Sequence, residues 1–130
     1  MTIRGITLDT GALVAIERRK QRGAQLLQLA RQRLAILAVP MPVIAEWWRG
    51  RTDVRERLLD VVNVEPLSLS VAKAAGEAQA AVRASTAIDA IVMAFAASRG
   101  DVVFTGHTKD LERLRRFFPL VRVLGCGEDL

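Results

Sequence analysis

The chain alternates short apolar or β-branched runs with longer stretches whose apolar residues recur at helical spacing. Ile3–Leu8 reads as a strand that runs into Asp9-Thr10-Gly11. A helix then begins through Leu13, Ile16 and Glu17 and closes in Arg18-Arg19-Lys20. Leu26, Leu27, Ala30 and Leu34 share one face, with Arg31, Gln32 and Arg33 mostly outside it, which predicts a second helix. Ile36–Val39 is a short buried strand stopped by Pro40. Pro42 suits the first turn of a helix over Val43–Trp48, which Gly50 can end. Thr52 caps a short helix, Asp53–Leu59, Val61–Val64 is the next strand, and Ser70 caps an alanine-rich helix through Arg83. Ser85 or Thr86 caps Ala87–Ser98, which is apolar nearly all round and therefore expected in the interior. Gly100-Asp101 turns into the strand Val102–Phe104, Thr108 caps a helix over Leu111–Phe118, and Val121–Leu124 is the last strand.

Strands separated by one or two helices imply a parallel sheet covered on both faces, an α/β fold with a three-layer α/β/α sandwich. Such folds place ligands beyond the carboxyl ends of their strands. The 130 residues, with no linker or repeat between them, are expected to form one domain over residues 1–130. At 51% apolar and 25% charged the composition is globular. Nineteen Lys and Arg against 14 Asp and Glu leave a formal charge of +5. That balance suits a polyanionic partner, and equally a merely solvated basic surface.

Cysteine usage narrows the setting. The single Cys126 excludes an intramolecular disulfide and points to a reducing, cytoplasmic compartment. One Cys and one His also exclude a Cys/His zinc cluster. No apolar run approaches the ~20 residues of a membrane span. Arg4, followed by Gly5, Thr7 and Asp9, is unlike the apolar core of a signal peptide.

Three acidic residues stand in apolar surroundings. Asp9 follows Ile6-Thr7-Leu8, Glu46 lies within Val43-Ile44-Ala45-Glu46-Trp47-Trp48, and Asp89 lies within Ala87-Ile88-Asp89-Ala90-Ile91-Val92-Met93. A desolvated carboxylate is costly unless it is paired or bound to a cation. Each has an ordinary explanation as well. Asp9 is placed to cap the following helix, Glu46 to pair with Arg49 or Arg18 on an exposed face, and Asp89 to complement a helix N-terminus. All three nonetheless fall at strand C-termini or helix N-termini, which a parallel sheet gathers on one edge. Converging carboxylates suit a hard divalent cation, Mg²⁺ or Mn²⁺, that lowers the pKa of a bound water and stabilises charge on a phosphodiester. Basic residues around such a centre would attract a nucleic-acid backbone.

These residues resemble a known family. Leu8-Asp9-Thr10-Gly11-Ala12-Leu13, Val43-Ile44-Ala45-Glu46 and Ala87-Ile88-Asp89-Ala90-Ile91-Val92-Met93-Ala94 are similar to the first three motifs of PIN domains. Val102-Val103-Phe104-Thr105-Gly106, followed by a helix, is similar to the fourth. The likeness spans essentially the whole chain and is nearest to the VapC-type toxins of prokaryotic toxin–antitoxin pairs. It implies a Mg²⁺- or Mn²⁺-dependent endoribonuclease in which Asp9, Glu46 and Asp89 hold metal or position the attacking water, supported by the hydroxyls of Thr10 and Thr105. It also implies a homodimer, and a cognate antitoxin that wraps an apolar groove near the early helices, for which Trp47 and Trp48 are candidates.

The fourth motif departs from the family. Members commonly read Thr-x-Asp with a further acid three residues later, whereas this chain reads Thr105-Gly106-His107-Thr108-Lys109-Asp110. His107 therefore takes the usual carboxylate position and Asp110 matches the later acid. Asp110 either completes the cluster or complements the dipole of its helix. His107 is a loop residue, a metal ligand that would favour Mn²⁺, or a phosphate contact. The departure leaves a second reading, a catalytically impaired module that binds RNA or protein. Arg18-Arg19-Lys20-Gln21-Arg22, Arg49-Gly50-Arg51 and Arg113–Arg116 are candidate RNA-backbone contacts or ordinary charged helix ends. A phospho-acceptor signalling domain fits poorly, because Asp9 is followed by Thr10-Gly11 rather than a second acid.

Overall fold

In the computed structural model, which describes residues 4–126, five parallel strands form one sheet in the order β3-β2-β1-β4-β5. The strands are β1 (Arg4–Leu8), β2 (Ala35–Pro40), β3 (Asn63–Glu65), β4 (Val102–Thr105) and β5 (Val123–Gly125). Between them run α1 (Thr10–Glu17), α2 (Gln21–Arg31), α3 (Met41–Trp47), α4 (Asp53–Val61), α5 (Leu69–Ala81), α6 (Ala87–Arg99) and α7 (Thr108–Leu114). This is the expected α/β sandwich. Ile3, the first residue of the anticipated opening strand, lies outside the described residues.

The central strands are buried on both faces, which is why their sequences read as continuous apolar runs rather than alternating ones. Leu8, Leu37, Val39 and Val103 are almost fully buried, as are Val92 and Met93 of α6. Each such side chain contributes roughly 1.5–3 kcal/mol of transfer free energy. Ile36 differs from the expectation for β2: it is 40% exposed, at the open amino-terminal edge of the sheet. Among the described residues no helix is long and apolar enough to cross a membrane.

Several helix ends differ from the pattern. Arg33 adopts φ +59°, so α2 stops at Arg31 and Leu34 lies outside it. Ser68, not Ser70, accepts from the Val71 N–H and starts α5 two residues earlier than expected. α3 ends at Trp47, where the Trp48 N–H closes on the Ile44 carbonyl, before Gly50 is reached. α7 starts at Thr108 itself with His107 as its flanking residue, and it ends at Leu114 rather than Phe118. Thr52 and Thr86 cap α4 and α6 through their hydroxyls, as expected of their residue type.

The strand order locates the site. The chain builds outward from β1 through β2 to β3, then returns to lay β4 on the other side of β1. The order therefore reverses between β1 and β4, where the loops beyond the strand ends splay and leave a crevice. Asp9 follows β1 and Gly106 follows β4, so both stand at that crevice.

Candidate active site at the switch point

Asp9 is 3% exposed and joins the two central strands. Its Oδ1 accepts from the Ala12 N–H at 2.8 Å, capping α1, and from the Gly106 N–H at 3.4 Å. Its Oδ2 accepts from the Thr105 hydroxyl. Thr105 is itself fully buried, and its Oγ1 accepts from the His107 N–H at 2.8 Å. The capping role and the site role anticipated for Asp9 are thus compatible, because one carboxylate has lone pairs for both.

The close approach of the two loops rests on glycines. A Cβ on Gly11 would lie 2.8 Å from Gly106 Cα, and one on Gly106 would lie 3.0 Å from Gly11 Cα. No side chain fits between these backbones, and their contact brings Thr105 and Gly106 within reach of Asp9. Both glycines belong to the quoted motifs, but nothing local in the sequence signals that they touch.

Around Asp9 opens a cleft of about 350 Å³ whose walls include Glu46, Asp89 and Asp110, with Thr10, Arg49, Thr86, Ile88 and His107. All four acidic candidates meet there. Glu46 sits on an exposed position of α3 and accepts from the Thr10 hydroxyl, so it is not desolvated as its apolar sequence neighbours suggested. Those neighbours, Val43 and Trp47, are the buried residues of the helix. Asp89 is half-buried in the first turn of α6, where its N–H donates to the Thr86 hydroxyl at 3.1 Å. Asp110 is half-buried at the rim and pairs with Arg113 at 2.6 Å. His107 is exposed and also lines the cleft. Arg49, offered by the sequence as a partner for Glu46 and as part of a basic cluster, shares the cleft with Glu46 but forms no ion pair with it.

Electrostatics set two of the acids apart. Burial raises the Asp9 pKa above its ordinary value, against the opposing pull of the Thr105 hydroxyl, the Ala12 and Gly106 N–H groups and the charge of His107. Burial also raises that of Asp89; its bond with Thr86 opposes the rise, the charges of Asp9 and Asp110 add to it, and His107 again opposes. The carboxylates are close enough to repel one another, and a bound cation would relieve that repulsion. Among the described residues, no three His, Cys, Asp or Glu side chains stand close enough to enclose a metal ion by themselves. An oxygen-rich, open cleft of this kind fits a hard cation that keeps several waters and takes only one or two carboxylates directly.

The tryptophans divide. Trp47 is 2% exposed and donates its indole N–H to Glu17 Oε1 at 3.0 Å, so it is core rather than a docking residue. Trp48 packs edge-on against it with ring centroids 6.0 Å apart. The groove near the early helices is instead floored by Ile16, Leu27, Val54 and Leu58 and rimmed by Arg19, Arg31 and Arg57.

Comparison with known proteins agrees with this geometry. The sequence matches the PIN domain over residues 6–116. No curated protein matches it. Among solved structures it is similar to that of VapBC2 from Rickettsia felis bound to a promoter DNA fragment, with 17% identity over 93% of this chain and 98% of that one and a TM-score of 0.72. DNA-bound VapBC from Salmonella typhimurium gives 19% identity, 97% and 100% coverage and a TM-score of 0.68. VapC20 from Mycobacterium tuberculosis, a sarcin–ricin loop cleaving toxin, gives 20%, 75% and 86%, and 0.56. At these identities the structures speak to the fold, and the neighbours are toxins of toxin–antitoxin pairs. With the family model covering most of its length, the chain belongs to the PIN-domain family.

Proposed function

We propose that this protein is a metal-dependent endoribonuclease acting in the cytoplasm as the toxin of a VapBC-type toxin–antitoxin pair. The observation that carries the reading is the convergence of Asp9, Glu46, Asp89 and Asp110 on one cleft at the sheet's switch point. PIN domains typically bind Mg²⁺, and the donor set here suits Mg²⁺ or Mn²⁺. Asp9, Glu46 and Asp89 are the residues that would hold the ion, with Asp110 adding a fourth carboxylate at the same cleft. When bound, the ion would supply a water of lowered pKa and neutralise charge on the attacked phosphodiester.

The chain's own groups do the positioning. Thr105 and the Gly106 N–H fix the orientation of Asp9, and Thr10 fixes that of Glu46. Glu46, exposed and held by Thr10, is placed to orient an attacking water. His107, on the lip, offers a cationic or hydrogen-bonding contact to phosphate where the family usually has a carboxylate.

The groove between α1, α2 and α4, with its apolar floor and arginine rim, suits an acidic amphipathic segment of the antitoxin. Homodimerisation belongs to the same proposal and is read by sedimentation.

Purified protein with Mg²⁺ or Mn²⁺ should cut a structured RNA, and Asp9→Asn, which keeps the Ala12 cap acceptor, should abolish the cut while circular dichroism shows the fold intact. Equal cleavage by both proteins would identify a contaminant and end the assignment. His107, standing where the family usually has a carboxylate, keeps a catalytically impaired module that binds RNA or protein as the second reading. Calorimetric titration with Mn²⁺ separates the two: RNA affinity without any metal binding would select the module.

A further inference from the structure

Among the described residues, Arg49 is the one Lys or Arg side chain on the wall of the acidic cleft. Among the described residues it makes no hydrogen bond or ion pair with the carboxylates around it or with any other group. Its neighbours behave otherwise. Arg51 pairs with Asp53 and Glu56, Arg55 with Glu17, and Arg113 with Asp110. Opposite charges this near would attract, and each of those arginines has closed onto a carboxylate. An arginine that faces four carboxylates and joins none is placed for a different anion.

The turn that carries it is braced on both sides by one carboxylate. Before Arg49, the buried Trp47 donates its indole N–H to Glu17 Oε1 at 3.0 Å. After it, the Gly50 carbonyl accepts from Arg55 Nη1 at 2.9 Å, while Arg55 Nε donates to Glu17 Oε2 at 3.1 Å. Glu17 thus ties down the residues flanking Arg49, and Gly50, at φ +113°, supplies a backbone conformation that other residues rarely adopt. This is more fixed backbone than a solvated surface arginine needs.

We propose that Arg49 binds a backbone phosphate of the RNA at the cleft, and that the Glu17–Arg55 pair is the brace that positions it. This rests on the ribonuclease reading. The guanidinium fork matches two phosphate oxygens. Set beside carboxylates that repel the RNA backbone, it draws one phosphate to the cleft, where the charge elsewhere on the surface acts only at long range.

The test is fluorescence anisotropy of a short labelled single-stranded RNA of mixed sequence, with Ca²⁺ in place of Mg²⁺, between roughly 50 and 200 mM KCl. Arg49→Ala should weaken binding about tenfold. It should also lower the slope of log affinity against log salt by about 0.7, the value for one phosphate contact on a single strand. Arg55→Met should give the same loss of slope, and Arg49→Ala/Arg55→Met no more than Arg49→Ala alone. Lys73→Ala, an equal change of charge on α5 away from the cleft, should leave the slope unchanged. Equal affinity and slope in wild type and Arg49→Ala would overturn the assignment, as would a lowered unfolding midpoint with an unchanged slope, which marks a structural role. A wild-type chain that binds no RNA would bring down the ribonuclease reading itself.

Discussion

Gly11 and Gly76 both lie within helices, so by intrinsic propensity alanine is favoured at each by up to about 1 kcal/mol. The structure separates them. At Gly76, in the middle of α5, an added Cβ meets nothing within 4 Å. Gly76→Ala should therefore stabilise the protein by about 0.5–1 kcal/mol, raising the melting temperature by roughly 2–5 °C. At Gly11 the same methyl lies 2.8 Å from Gly106 Cα and 2.9 Å from its nitrogen. To reach the 3.4 Å at which ordinary contact begins, the two loops must part by about 0.6 Å, and both sides are backbone. Overpacking against atoms that cannot rotate away costs about 1–3 kcal/mol. Less the propensity gain, Gly11→Ala should lose about 1–2 kcal/mol, or roughly 3–10 °C. The displacement also acts on the Asp9–Gly106 and Asp9–Thr105 bonds, so activity should fall further than stability, by up to ~10²-fold. Urea unfolding followed by circular dichroism, with RNA cleavage on the same samples, measures both. Gly11→Ala that is as stable and as active as wild type would refute the account of the two loops, and a destabilising Gly76→Ala would refute the propensity argument.

Other outcomes follow from buried polar groups. Asp101 is 7% exposed, accepts from the fully buried Thr7 hydroxyl at 2.9 Å and pairs with Arg99 at 2.8 Å. Asp101→Ala should cost about 1–3 kcal/mol by orphaning Thr7, and Thr7→Val/Asp101→Ala should cost less than the two single changes combined, as read by urea midpoints. Asp9 has a pKa raised in the fold, so the native state binds that proton more tightly than the unfolded chain does. Its contribution to metal-free stability is therefore fully present below the ordinary carboxyl value and is lost as pH rises through the raised one. Asp9→Asn should thus gain on wild type as pH rises above the ordinary carboxyl value in EDTA, and a pH-independent difference between the two would contradict this.

Much of the site was legible because a parallel sheet turns local signals into spatial ones. An acid after a strand and an acid opening a helix need not be near in sequence, yet the topology delivers Asp9, Glu46, Asp89 and Asp110 to one edge. What was not legible depended on faces and loops. The apolar residues around Glu46 left its burial open in the sequence, and the helix sends Val43 and Trp47 to the core while leaving Glu46 at an exposed position beside them. Thr108 has the better side chain for a cap than His107, yet the chain turns one residue earlier, where the His107 N–H is held by Thr105. The path of the turn after α3, which carries Arg49 into the cleft, is set by Arg55 and Glu17, and no local periodicity encodes that pairing.

The bond between Asp9 and Thr105 spans 96 positions, and it has a consequence for the order in which the protein is made. A chain leaving the ribosome exposes Asp9, Glu46 and Asp89 before β4 exists. Until β4 arrives, β1 lacks a neighbour on one side and the cleft lacks a wall. A translation product cut short ahead of residue 102 is therefore missing two strands on one side of its sheet together with one wall of its site. The segments α1, α2 and α4, by contrast, are complete by Val61. On the ribonuclease reading, synthesis itself keeps the activity in abeyance, and the groove offered to an antitoxin emerges well ahead of the chemistry it would silence.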